Sequence, residues 1–294
     1  MARRSKAGRW LAAAVSLGLL ILASAAHAQG ADRYFDTSDG VRLHYTEAGH
    51  GRTLVFVPGW TMPGWIFQPQ LGALSASYHV VLFDPRGQGS SDIPEQGYDQ
   101  TRRSQDIAEL LDQLGPDPVV LVGWSLGVLD TLAYVARSGD EHIAGLVLVD
   151  NSIGEPPAPV AAPPPPGPRR PHGPRRSATC SRAFVVGMFA RPQSPEYLDR
   201  LADACGRTPA PAARALLAYP VPRTYWRDAV LSTTKPVLYV IRPHLQAQAQ
   251  NLLLDRPNDE TVLFPTAGHA LFVDEPERFN QVVADFLSRR VWPG

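Results

Sequence analysis

Residues 118–137, PVVLVGWSLGVLDTLAYVAR, decide the fold. Pro118–Val122 is a short apolar run rich in β-branched residues, which reads as a strand. Leu126–Arg137 reads as a helix. Between them stands Gly123-Trp124-Ser125-Leu126-Gly127, a G-x-S-x-G motif. A strand that enters a helix through so few residues makes a tight turn. Glycine is needed on each side to avoid clashes, and the serine is projected above the sheet edge.

Outward from this stretch the chain alternates. Thr53–Val57, His79–Asp84, Ile143–Asp150, Pro236–Ile241 and Glu260–Pro265 are further apolar runs of strand length. Arg102–Leu114 carries Ile107, Leu110, Leu111 and Leu114 at helical spacing, and Pro276–Arg290 closes the chain with a helix. Ser38-Asp39-Gly40 reads as a hairpin turn between Tyr34–Asp36 and Val41–Glu47. Strands apolar on both faces and separated by helices imply a mostly parallel sheet covered on both sides, an α/β fold. The alternation breaks between Asn151 and Thr234. Pro156 to Pro174 holds ten prolines in nineteen residues, which excludes regular helix or interior strand. Short helices are expected at Ser194–Cys205, Pro211–Tyr219 and Arg223–Leu231. This reading divides the chain into 1–28, a core part over 29–150, an insertion over 151–234 at the carboxyl edge of the sheet, and a second core part over 235–294.

The first 28 residues read as an address. Arg3, Arg4, Lys6 and Arg9 precede an apolar run from Leu11 to Ala26, and Ala26-His27-Ala28 places small residues at −3 and −1. A charged start, an apolar middle and an A-x-A end describe a secretory signal peptide cleaved after Ala28. The run is shorter than the roughly 20 residues a spanning helix needs. The expected mature protein is therefore periplasmic or secreted, with no stable membrane anchor. Such a compartment permits Cys180 and Cys205 to pair, although two unrelated thiols fit the sequence too. Lys+Arg and Asp+Glu both number 28, and this balance argues against a nucleic-acid partner. The sequence has no His or Cys spacing of a metal site and no Gly-rich nucleotide loop, so neither a metal nor a nucleotide cofactor is expected.

Three further motifs agree with the first. Val57-Pro58-Gly59-Trp60 follows an early strand, Asp84-Pro85-Arg86-Gly87-Gln88-Gly89-Ser90-Ser91 follows the next, and Ala267-Gly268-His269 follows the last. With these in place the chain resembles the α/β-hydrolase family, in its capped, lipase-like branch, over about residues 33–151 and 235–291. The resemblance implies Ser125 as nucleophile and His269 as general base. It implies an oxyanion hole from the backbone N–H groups of Leu126 and Trp60, with Pro58 in place of the family's histidine. Arg86 and Asp84 read as residues that hold a loop.

The acid departs from the family's pattern. Most relatives carry an Asp shortly after the strand that is PVLYVI here, where this chain has Arg242-Pro243-His244. Asp150, at the end of LVLVD, is the expected replacement, with Asp255, Asp259 and a triad that lacks its acid as alternatives. Trp60, Trp65, Phe67 and Trp124 are candidates for an apolar pocket wall or for core, and His244 for a pocket residue. The implied partner is a small-molecule acyl substrate, a small or medium carboxylic ester first. Amides, lactones, N-terminal proline peptides, C–C bonds and cofactor-free haloperoxidase chemistry are also represented among relatives. A non-catalytic ligand-binding protein on the same scaffold is the rival from another class.

Overall fold

The apolar runs join in one eight-stranded sheet in the computed structural model, which describes residues 30–154 and 180–294. The expected signal peptide and the Pro156–Pro174 stretch lie outside the described residues. The strands are β1 (Ala31–Asp36), β2 (Arg42–Ala48), β3 (Thr53–Val57), β4 (His79–Asp84), β5 (Val119–Trp124), β6 (Ile143–Val149), β7 (Val237–Ile241) and β8 (Glu260–Leu263). Their spatial order is β1-β2-β4-β3-β5-β6-β7-β8. β2 pairs antiparallel with β1 and β4, and the other pairs are parallel. From β3 the chain steps outward to β4 and then crosses back to β5. The order therefore reverses between β3 and β5, which is where open α/β sheets leave a crevice at their carboxyl ends.

The helices are α1 (Gln68–Leu74), α2 (Gln100–Leu114), α3 (Leu126–Ser138), α4 (Arg182–Val186), α5 (Pro195–Gly206), α6 (Ala210–Ala215), α7 (Thr224–Ser232), α8 (Gln246–Asp255), α9 (Leu271–Asp274) and α10 (Pro276–Phe286). The period-2 pleat decides which helix meets which residue. Leu54 and Phe56 of β3 join Val120 and Val122 of β5 on one face, against Leu71 of α1 and Phe279, Val283 and Phe286 of α10. Val55 and Val57 join Leu121 on the other face, against Ile107 of α2, Leu132 of α3 and Val230 of α7. Each such side chain taken fully out of water contributes about 1.5–3 kcal/mol. The sheet between its two helix layers is thus the main store of stability.

The loop after β4 is held from both sides. Asp84 accepts from the N–H groups of Gly64 (2.5 Å) and Ser90 (2.7 Å) and pairs with His44 Nδ1 (2.8 Å). The fully buried Arg86 donates to Asp106 of α2 (2.6 Å) and to Asp39 in the β1–β2 turn (3.0 Å).

Between β6 and β7, α4 to α7 sit at the carboxyl end of the sheet. Thr208 Oγ1 donates to Gly87 O (2.7 Å), Arg103 Nη1 to Leu216 O (3.2 Å) and Trp60 Nε1 to Ala213 O (2.7 Å). A disulfide between Cys180 and Cys205, with Cα atoms 5.7 Å apart, ties the start of α4 to the end of α5. α6 is shorter than the Pro211–Tyr219 helix expected from sequence. Leu217 and Ala218 bond three residues back instead of four, and Pro220 disfavours helical backbone at the residue before it. α7 packs on α3, with Trp226 Nε1 donating to Leu129 O (3.2 Å). Among the described residues no helix is long and apolar enough to cross a membrane.

Candidate active site

Ser125 stands at the end of β5 with φ 54° and ψ −118°, a region that residues with a Cβ avoid. Its surroundings over-determine this conformation. Ser125 N donates to Val149 O (3.0 Å), while Ser125 O accepts from Val128 N (3.0 Å) and Asn151 Nδ2 (2.7 Å). The flanking glycines are required by contact. A Cβ on Gly123 would lie 2.5 Å from Gly127 O, and one on Gly127 would strike the carbonyl oxygens of Val57 and Pro58. α3 therefore starts directly against the end of β3.

The loop after β8 brings in His269. Gly268 packs so closely on Met188 and Ala190 that no side chain fits there, and its N–H is taken by Asp274 Oδ2 (2.7 Å). Trp124 Nε1 donates to His269 O (2.9 Å), and the indole packs against the imidazole with centroids 5.1 Å apart. Held in this way, His269 Nε2 lies 2.9 Å from Ser125 Oγ and Nδ1 lies 2.6 Å from Asp150 Oδ2. A carboxylate only accepts, so Nδ1 carries the proton and Nε2 is left to accept from the serine hydroxyl.

Asp150 follows β6 with φ 50°, and its side chain is fully buried. Arg242 Nε donates to the same Oδ2 (2.6 Å) and Arg242 N to Oδ1 (3.2 Å). Burial pushes the carboxyl up. The hydrogen bond and charge of His269, and then Arg242, pull it down further, so it lies below the ordinary carboxylate range. The other two acids weighed from sequence are engaged elsewhere. Asp255 pairs with Arg227 (2.9 Å), and Asp259 pairs with Arg256 and accepts from Val237 N (3.2 Å).

Leu126 is the first residue of α3, where N–H groups lack intrahelical partners. Trp60 follows Gly59, which lies against Ser125: a Cβ on Gly59 would be 2.9 Å from Ser125 Cβ. Gln88 supports this loop. Its side chain accepts from Thr61 N (2.9 Å) and donates to Met62 O (3.0 Å) and Gly59 O (3.3 Å). Sequence reasoning passed over Gln88, although its place between Gly87 and Gly89 at a strand end was a signal. It also passed over Arg242.

A cavity of about 470 Å³ opens beside Ser125, with Trp60, Leu129, Tyr219, Val221 and Trp226 among its walls. Of the four aromatics weighed as a pocket, only Trp60 lines it. Trp124 backs His269, Phe67 is buried against Phe272 with centroids 4.4 Å apart, and Trp65 meets Tyr197 and Arg200. His244 sits exposed in a short turn and is not a wall of this cavity. Among the described residues no group of three or more His, Cys, Asp or Glu is placed to hold a metal ion.

The family model of the alpha/beta hydrolase family matches residues 54–282. The chain belongs to this family. A non-heme chloroperoxidase of Kitasatospora aureofaciens is 37% identical over 114 residues, 38% of this hydrolase-family chain and 42% of that protein. A soluble epoxide hydrolase of Corynebacterium sp. (strain C12) is 34% identical over 131 residues, 42% and 45% of the two chains. These alignments span less than half of each curated relative. Among solved structures, a candidate aryl esterase from Burkholderia cenocepacia superposes with a TM-score of 0.73 at 27% identity, over 87% of this chain and 98% of that one. A bromoperoxidase from Bacillus anthracis (TM-score 0.70, 22% identity, 88% and 100% covered) shares the fold.

Proposed function

We propose that this member of the alpha/beta hydrolase family is an exported serine hydrolase that cleaves small or medium carboxylic esters through an acyl-enzyme. The observation that carries the reading is the unbroken chain from Ser125 Oγ to His269 Nε2, and from His269 Nδ1 to the buried Asp150. Ser125 Oγ attacks the ester carbonyl as its proton passes to His269 Nε2. Asp150 holds the imidazole in the required tautomer and stabilises the imidazolium. The N–H groups of Leu126 and Trp60 receive the oxyanion. Collapse expels the alcohol, which takes the proton from His269, and a water activated by the same nitrogen releases the acid. The apolar cavity beside Ser125 suits an acyl or alcohol group of modest size. A serine at the elbow argues against epoxide opening by the Asp nucleophile that family members of that kind use there. Export rests on the leader, and N-terminal sequencing of the protein from the periplasmic fraction or the medium should start at Gln29.

The test is p-nitrophenyl ester hydrolysis across acyl lengths, with S125A and D150N beside the wild type. Turnover is expected in the wild type, loss below detection in S125A, and a fall in kcat of about 10⁴ in D150N. A folded wild type that hydrolyses no ester and takes no label from a fluorophosphonate would instead make the chain a binding protein.

A further inference from the structure

The strand end where most relatives carry the triad acid carries a cation here. Arg242 follows β7 directly and turns back onto Asp150, the acid at the neighbouring strand end. Its backbone N–H takes Oδ1 and its Nε takes Oδ2, so the carboxylate is gripped at both oxygens. Oδ2 also accepts from His269 Nδ1, at the same 2.6 Å. One buried oxygen thus serves a permanent cation and an imidazole that becomes a cation during turnover.

We propose that Arg242 is a positioning residue of the site. It fixes the plane of the Asp150 carboxylate toward His269, and it offsets part of the acid's charge. The inference rests on the serine-hydrolase reading for its kinetic consequences but not for its titration consequences. Two physical effects follow. An Asp150 that lacks one of its two side-chain partners can rotate, and the imidazole then loses its preferred orientation. A positive charge near an imidazole disfavours its protonated form, so removing that charge raises the pH at which the ring titrates. A purely structural ion pair would lower stability and leave that pH where it was.

Other charges near the ring stay in place in the variants. Asp274 of α9 holds the N–H groups of Gly268, Ala190 and Arg191, and Arg191 lies 3.7 Å from Glu275. His244, two residues beyond Arg242, is the other titratable side chain of that turn.

The experiment compares wild type, R242K and R242Q in two ways. One is the pH profile of kcat/KM on a p-nitrophenyl ester. The other is the NMR titration of the His269 ring in the resting protein, assigned against H269Q. In R242Q the acid limb and the ring titration should both move to higher pH than in the wild type, and kcat should fall. In R242K the titration should stay close to wild type, while kcat falls several-fold because a flexible ammonium does not hold the place that Arg242 Nε takes on Oδ2. A folded R242Q whose ring titrates at the wild-type pH overturns the proposal. Should R242Q fail to fold, R242K carries the test, and a wild-type kcat there overturns the positioning role. If no ester is turned over but the ring titration shifts, the role of Arg242 stands and the ester reading falls.

Discussion

Gly127 shows how much of the site depends on a side chain that is absent. Its Cα faces the carbonyl oxygens of Val57 and Pro58, and backbone carbonyls at a strand end cannot swing aside as a side chain can. G127A should therefore push the start of α3 away from β3 and carry the Leu126 N–H with it. Loss of one oxyanion donor costs about 10²–10³ in rate in hydrolases of this chemistry. G127A should fall in kcat by at least about 10²-fold while remaining folded by circular dichroism, and wild-type kcat would show that the two elements separate freely. At this scale the sequence was unevenly legible. Ser125 and His269 stand inside local motifs whose glycines advertise them. Asp150 was reachable only because the expected strand end has no acid. Arg242 gave no signal, since its partner is 92 residues away and an arginine after a strand is ordinarily a solvated one. Gln88 acts through three backbone groups on a different loop, so its place between two glycines signals a tight turn but not what its side chain holds.

Among the elements, α4 and α5 matter beyond their size. The disulfide joins them, Phe184 of α4 meets the Trp60 ring edge-on at 5.2 Å, and Met188 O, just past α4, accepts from Ala270 N (3.0 Å). Asp274 then binds Ala190 N and Gly268 N together. One unit therefore touches both the loop of Trp60 and the loop of His269. Closing the 25-residue separation with a disulfide contributes about 3.5 kcal/mol in the chain-entropy view. Reduction should loosen this unit while leaving the sheet intact. We expect trypsin to cut between Arg182 and Arg200 faster after dithiothreitol, and kcat/KM to fall several-fold in C180S/C205S. Equal cleavage before and after reduction would show that packing alone orders the unit. Helix α5 was readable because Ser194 caps it and Leu198, Leu201 and Cys205 repeat on one face. Helix α4 was not, because five residues hold too little of a 3.6-residue period. Helix α1 was hidden by Pro69 and Gly72, although proline is well tolerated in a first turn.

At the scale of the molecule, the strands were legible and their order was not. A strand apolar on both faces states that it is interior but does not name its neighbours, so the order β4-β3-β5 was not readable. What fastens the antiparallel edge to the body was legible only as a loop motif. Arg86 is the tie: fully buried, it reaches α2 through Asp106 and the β1–β2 turn through Asp39, whose carboxyl it holds down to about 2. Gln88, two residues on, serves the Trp60 loop instead. These two neighbours should therefore separate stability from chemistry. R86M leaves Asp106 buried with only Arg102 beside it, and breaking a buried pair from one side costs about 3–5 kcal/mol. For a chain of this size that corresponds to a thermal midpoint lower by roughly 10 °C. Labelling of the folded fraction by a fluorophosphonate should stay near the wild-type rate, because Arg86 contacts no part of the site. Q88A should do the reverse, with a midpoint within a few degrees of wild type and labelling slowed by about tenfold or more as the Trp60 N–H loses its support. Differential scanning fluorimetry and labelling time courses on the two variants decide the matter. If R86M slowed labelling as much as Q88A did, the loop after β4 would act as one piece, and the sheet edge and the oxyanion loop would be parts of a single cooperative unit.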